Sequence, residues 1–350
     1  MQARAVFDEL IRRFALEAPA LTKDPVGFFC EQLRSSLLGD REDDPQDDIY
    51  AIRSVIEGLA KLKEQQDKVK PSETEGLLER FRNEMRQSKI RDAIGVAAQL
   101  QLEKLEADQL LEISSALSVE GPALDDNSDD ELRAYDLIAA IGDRLALLGR
   151  NQVLMKVRTG RALFNKGVTL GALNRGEEEI AVYDEVVGRF GEATEPALRE
   201  RVAMALVNKG NRLGALNRGE DAIAVYDEVV GRFGEATEPA LREQVARALV
   251  NKGVTLGALN RGEEEIAVYD EVVRRFGEAT EPALRERVAR ALVNKGLTLG
   301  TLNRGEEEIA VYDEVVRRFG EATEPALRAQ VAKAQAALDQ HEDDEPKSAV

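Results

Sequence analysis

The tripeptide Asn-Lys-Gly begins at Asn165, Asn208, Asn251 and Asn294, so the same stretch of sequence returns every 43 residues. A period of roughly 20–50 residues decides architecture before any single element is assigned, because each unit is one supersecondary motif that completes its core only by stacking on its neighbours. Four copies run from about residue 161 to 332, each close to ALVNKGVTLGALNRGEEEIAVYDEVVRRFGEATEPALREQVA. They agree even at positions expected to be exposed. That points to recent duplication, so agreement among copies marks no functional residue by itself.

Within a copy the apolar residues follow helical spacing. Leu198, Val202, Ala205, Leu206, Leu213 and Leu216 predict a first helix over residues 195–216. It would be about 30 Å long, with Thr194 as its cap and Pro196 in its first turn, where a missing N–H costs nothing. Asn217-Arg218-Gly219 tolerates the left-handed backbone that ends a helix. A second helix is expected from Glu220 to Phe233, with acids at its positive end and an apolar face of Ala222, Ile223, Tyr226, Val229, Val230 and Phe233. The connector GEATEP then leads to the next pair. Two such helices bury only part of their apolar faces, so hairpin must stack on hairpin.

The order of a mid-helix glycine (Gly167, Gly210, Gly253, Gly296), a leucine three residues on, the NRGEE-type turn and the Ile-x-x-Tyr of the second helix resembles the tetratricopeptide repeat. The repeats here are longer than usual and are similar to the lengthened ones of kinesin light chain and related bacterial proteins. The likeness covers about half of the chain. It implies an all-α fold, a right-handed superhelical solenoid of antiparallel helix hairpins whose first helices line the concave side. For function it implies a binding scaffold and not an enzyme. The family prefers a small residue just before the isoleucine of the second helix, as at Ala222, where the other copies carry Glu179, Glu265 and Glu308. Such a glutamate is expected to lay its methylenes along the core and keep its carboxylate wet.

Four divisions are expected. Residues 1–128 read as divergent helical hairpins, with helical patterns near 24–39, 48–69, 73–86, 87–104 and 106–119. Residues 129–160 hold a worn repeat, because DDELRAYDLIAAIGDR resembles a second helix, and a transition. Residues 161–332 are the four copies. Residues 333–350 hold the end of a solvating cap helix, whose stretch VAKAQAALDQ starts at Val331, and an acidic disordered tail, HEDDEPKSAV. AVFDELIRRF at Ala5–Phe14 nearly duplicates AVYDEVVRRF but has no first helix of its own, so the chain is expected to begin inside a former repeat.

Chemistry is scarce. The only histidine, His341, falls in the acidic tail, which removes histidine-based triads and HExxH zinc sites. No phosphate-cradling glycine loop is present. Cys30 sits in the apolar stretch VGFFCEQL and reads as a small buried hydrophobe. The triplet Glu177–Glu179 reads as a solvated helix start. No cofactor is expected. A formal charge of −18 with no basic run argues against nucleic acid. No apolar run is long enough for a membrane, and the N-terminus lacks a signal-peptide core, so a cytoplasmic location is expected.

The face left for function is the first helix. Asn165, Asn208, Asn251 and Asn294 recur once per repeat and should form a ladder along the groove. Arg161, Arg247 and Arg290, with Met204 in the remaining copy, stand four residues earlier on the same face. Val168, Asn211, Val254 and Leu297 follow. Gly171, Gly214, Gly257 and Gly300 come next and leave room for a backbone to approach. What the resemblance implies is that the amides hold the main chain of another protein or peptide segment. The arginines would favour an acidic one. Equally open is that each asparagine bonds the adjacent hairpin and each arginine pairs with a glutamate such as Glu243 or Glu286. A self-assembling repeat protein, or the regulatory part of a larger effector, are the alternative functions.

Overall fold

The computed structural model describes residues 72–120, 127–150 and 152–344, and from Glu73 onward these belong to one compact unit. They form thirteen α-helices, which we number α1 (Glu73–Arg86), α2 (Ile90–Ala97), α3 (Ala107–Glu120), α4 (Asp129–Leu147), α5 (Gln152–Ala172), α6 (Gly176–Phe190), α7 (Pro196–Ala215), α8 (Gly219–Phe233), α9 (Pro239–Ala258), α10 (Gly262–Phe276), α11 (Pro282–Thr301), α12 (Gly305–Phe319) and α13 (Pro325–Asp344). A 3₁₀ turn covers Leu102–Lys104, and no strand occurs among the described residues. The helix expected over 87–104 is broken. Ser88 adopts a left-handed φ of 56°, and the chain turns after α2 so that both Leu100 and Leu105 are buried. The patterns before residue 72, Cys30 and the final six residues lie outside the described residues.

From α5 onward each helix packs on the next, and the first helices of the repeats, α5, α7, α9, α11 and α13, also touch one another in succession. Successive second helices make no comparable contact, so the first helices form the inner layer of an all-α solenoid. One continuous apolar core runs from Leu132 to Ala334, and a second core beneath α1–α4 meets it at α4 and α5.

The termini explain the regularity. Asn174, Asn217, Asn260 and Asn303 take φ of 57, 60, 58 and 56°, the left-handed turn expected after each first helix. Arg218 N–H then reaches back to Leu213 O at 2.9 Å and Asn217 N–H to Gly214 O at 3.0 Å, which satisfies the orphaned carbonyls. The cap of α7 is Glu195, not Thr194, and makes no side-chain capping bond, because Pro196 already occupies the first helical position.

Each hairpin is locked by a tyrosine under a glycine. Tyr183, Tyr226, Tyr269 and Tyr312 are among the largest fully buried side chains. Their ring edges lie 2.4, 2.5, 2.4 and 2.5 Å from where a Cβ would stand on Gly167, Gly210, Gly253 and Gly296. The hairpins are then linked in register by ion pairs that repeat with the sequence: Lys209–Asp184, Lys252–Asp227 and Lys295–Asp270. Lys166 makes the same pair with Asp136 of α4 at 2.6 Å, and Tyr135 O–H donates to Glu131 at 2.7 Å much as Tyr269 does to Glu265 at 3.0 Å. In this geometry α4 stands to α5 as each second helix stands to the next first helix.

The glutamates before the isoleucine do not stay wet. Glu179 and Glu265 are buried, and Glu308 is half-buried. Glu179 is met by Arg212 of the next hairpin, and burial pushes its carboxyl up against the arginine's downward pull. Glu265 has a threonine, Thr298, where Arg212 stands, and burial again pushes its carboxyl up, with Tyr269 and Thr298 opposing. A folded-state pKa above the unfolded value means that the folded chain holds this proton more tightly. The stability linked to Glu265 is therefore complete below about pH 4.3 and is lost as pH rises through the folded value. Glu265→Gln is expected to raise stability near neutral pH by about 1 kcal/mol, since an amide keeps the acceptor without the buried charge. The gain should fade below about pH 4.3. Chemical denaturation at the two pH values checks this; a gain independent of pH would contradict it.

His341 is also placed differently from the expectation of a disordered tail. Helix α13 continues through it, and its Nε2 lies 3.1 Å from Glu308 Oε2. It stands one repeat beyond Thr298, so the only histidine of the chain occupies the position from which Arg212 reaches Glu179.

A candidate peptide-binding groove and its cleft

The inner layer carries the expected residues, but they are not equivalent. Val168, Val254 and Leu297 are 48, 45 and 58 % exposed, apolar side chains at equivalent positions of three first helices, with Asn211 at that position in the remaining copy. The asparagine row is half-buried and partly engaged. Asn208 Nδ2 donates to Tyr183 Oη at 3.3 Å, and its Oδ1 accepts from Arg247 Nη2 at 3.2 Å. Asn294 donates to Tyr269 Oη at 3.3 Å, and Asn251 to Asn211 Oδ1 at 2.7 Å. The same Asn211 oxygen accepts from Tyr226 O–H at 2.8 Å. These amides therefore join hairpin to hairpin, the second of the two roles open from the sequence. Burial pushes the Tyr183, Tyr226 and Tyr312 phenols up to about 12, so they stay neutral, Tyr183 accepting from Asn208 and Tyr226 donating to Asn211.

The arginines divide as well. Arg161 donates to Ser118 O at 3.3 Å. Arg247 and Arg290 do not pair with Glu243 or Glu286: among the described residues no carboxylate lies within ion-pairing distance of either. Elsewhere arginines are routinely paired, as in Arg199–Glu238, Arg242–Glu281 and Arg261 with Glu220 and Glu264.

Five expected residues, Asn211, Arg247, Asn251, Val254 and Arg290, come together around one cleft of about 720 Å³ between α7, α8, α9 and α11. Asn165, Asn208, Asn294, Arg161, Val168 and Leu297 lie elsewhere along the inner helices and do not line it. Arg287, which was not among the expected residues, joins the cleft, and its Nε is buried without a hydrogen-bond partner among the described residues. The signal was available, since Arg287 lies three residues before Arg290 and shares its helix face. Burial, and then repulsion from Arg287, holds the Arg247 guanidinium below its usual value. The glycines also behave unequally. A carboxylate fills the space over Gly171, Gly257 and Gly300, and only Gly214 faces open room. No group of histidine, cysteine or carboxylate side chains among the described residues is arranged to hold a metal, and no described helix is long and apolar enough to cross a membrane.

Stacked two-helix repeats with an inner wall of first helices and a tyrosine-under-glycine lock define a tetratricopeptide-like solenoid. Among solved structures the chain is similar to BtubC (BKLC) from P. vanneervenii, at 15% identity and a TM-score of 0.44 over 63% of this chain and 94% of that one. It is also similar to the apo form of RapI, at 11% identity and a TM-score of 0.40 over 83% and 82% of the two chains. A third is NprR in complex with its cognate peptide NprX, at 10% and 0.37 over 84% and 80%. No family profile matches the sequence, and no curated protein matches it significantly.

Proposed function

We propose that the chain is a protein-interaction scaffold that captures a segment of another protein along the inner wall of its solenoid. The observation that carries this reading is the exposed row Val168, Val254 and Leu297 on the inner helices. Apolar side chains left at half exposure in a repeating row, beside half-buried amides and a cleft, suit an extended or helical segment laid along the groove. An acidic segment is the partner that the inner arginines favour. Because most amides already serve the hairpin joints, the apolar row supplies more of the grip than the asparagine ladder does. Ordering a flexible segment costs several kcal/mol, so affinity near the micromolar range is expected.

Self-assembly is the weaker reading. The outward face of α13 exposes Arg328, Ala329, Ala332, Lys333, Ala336 and Asp339, which offer no large apolar side chain to a second copy.

Val168→Ser combined with Leu297→Ser tests the groove at positions outside the cleft. The expected outcome is unchanged circular dichroism and at least roughly tenfold weaker capture of the partner from native lysate, since burial of each side chain is worth more than 1 kcal/mol. Capture at full strength by the double variant would refute the groove.

A further inference from the structure

In three copies a glutamate of the second helix fills the space above the last glycine of the first. Carboxylate oxygens of Glu179, Glu265 and Glu308 lie 2.9, 2.6 and 2.8 Å from where a Cβ on Gly171, Gly257 and Gly300 would stand. Each of these carboxylates has a partner: Arg212 for Glu179, the Tyr269 hydroxyl for Glu265, and His341 for Glu308. The second copy breaks the pattern. Ala222 replaces the glutamate, and above Gly214 the nearest atom is Thr255 Oγ1 at 4.0 Å. Gly214 lines the cleft, so the cleft is the room that a carboxylate occupies in the other copies. Around it stand Arg247, Arg287 and Arg290, with no carboxylate of the described chain in ion-pairing distance. A protein of formal charge −18 has thus gathered three guanidinium groups that have no direct carboxylate partner among the described residues, Glu243 acting on Arg247 only at longer range, around the one repeat that lacks the acid.

We propose, building on the groove reading, that this cleft is an anion-accepting subsite, one per molecule, in which carboxylates of an acidic protein segment take the place that Glu179, Glu265 and Glu308 hold in the other copies. Guanidinium groups bind carboxylates by charge-assisted, often bidentate hydrogen bonds, and the buried Arg287 Nε supplies a donor with nothing else to bond. At about 720 Å³ the cleft accepts more than one side chain, so a run of acidic residues fits it better than a lone small anion.

The test uses the full chain and fluorescein-labelled tetraglutamate, with labelled tetraglutamine as the neutral control, read by anisotropy. Tetraglutamate is expected to bind at least roughly tenfold tighter than tetraglutamine and to weaken as salt is raised. Ala222→Glu restores a residue that the fold already accepts in three other copies, and it should abolish this preference with melting unchanged. Arg287→Gln combined with Arg290→Gln should do the same without adding volume, and serves if the first variant is unstable. Equal binding of the two peptides, unchanged binding by both variants, or competition by inorganic phosphate alone would overturn the proposal. If the Val168/Leu297 variant loses the lysate partner while Ala222→Glu keeps both partner and peptide, the subsite falls and the groove stands. If the reverse holds, the groove falls and the subsite stands.

Discussion

Gly253→Ala is expected to destabilise the array by about 2–3 kcal/mol, although alanine is ordinarily the better helix former by about 1 kcal/mol. The added methyl would stand 2.4 Å from Tyr269 Cε1 and 2.6 Å from Cζ, and Tyr269 is fully buried. The ring cannot swing aside, because its hydroxyl is tied to both Glu265 and Asn294. The methyl therefore forces α9 away from α10, and the loss spreads to the stacking of α11. Gly231→Ala is the matched control: it lies within α8 and has nothing within 4 Å of the new methyl. That substitution should stabilise by up to about 1 kcal/mol through helix propensity alone. Urea melts followed by circular dichroism compare the two, with hydrogen exchange in α9 and α10 locating the damage. A neutral or stabilising Gly253→Ala would show that the tyrosine ring is not the lock we take it to be.

Arg212→Ala should cost about 3 kcal/mol near neutral pH, the scale found when one partner of a buried ion pair is removed. Glu179 is buried, and Arg212 is its only ion-pair partner among the described residues. Without the guanidinium, burial alone acts on the carboxyl and pushes it further up. The folded chain then holds the proton more tightly than the unfolded one, so the variant approaches wild-type stability below about pH 4.3 and falls behind as pH rises. Glu179→Ala should recover most of the loss in the double variant, since it removes the stranded charge. Thermal melts at acid and neutral pH measure both effects, and a loss of equal size at the two pH values would exclude the ion pair as its cause.

Much of the fold was legible because repetition and helical spacing are local properties. The left-handed Asn217 follows from its place after the last apolar residue of a helix, and the two-helix unit follows from the spacing of Leu198 through Leu216 and of Ala222 through Phe233. The acidic residues were harder to read. Glu179, Glu265 and Glu308 share the same flanking sequence, yet one meets an arginine, one a tyrosine and one a histidine. Those partners come from a neighbouring hairpin or from one turn further along the same helix, and no local pattern distinguishes them. His341 shows the same limit, since its acidic neighbours suggest a solvated tail while its distance from Thr298 puts it on the next rung.

The groove was legible only as a set of positions. Spacing puts Asn251, Val254, Arg247 and Arg290 at equivalent places on successive first helices. It does not say which side chains turn toward a neighbour. Tyr183 and Tyr269 take up amides of the next helix, whereas Arg290 and Arg287 have no acid within ion-pairing distance among the described residues.

What the sequence by itself determined was the unit and its period, because a helix is specified by residues three and four apart and a repeat by simple recurrence. What only the tertiary structure decided was where the copies differ in consequence. Replacing a glutamate by Ala222 is a minor change within one helix, but stacking sets that vacancy beneath Gly214 and beside three arginines from two further helices. Charge balance in a solenoid is settled between neighbouring hairpins, through distances of a few ångströms that link residues about 40 positions apart.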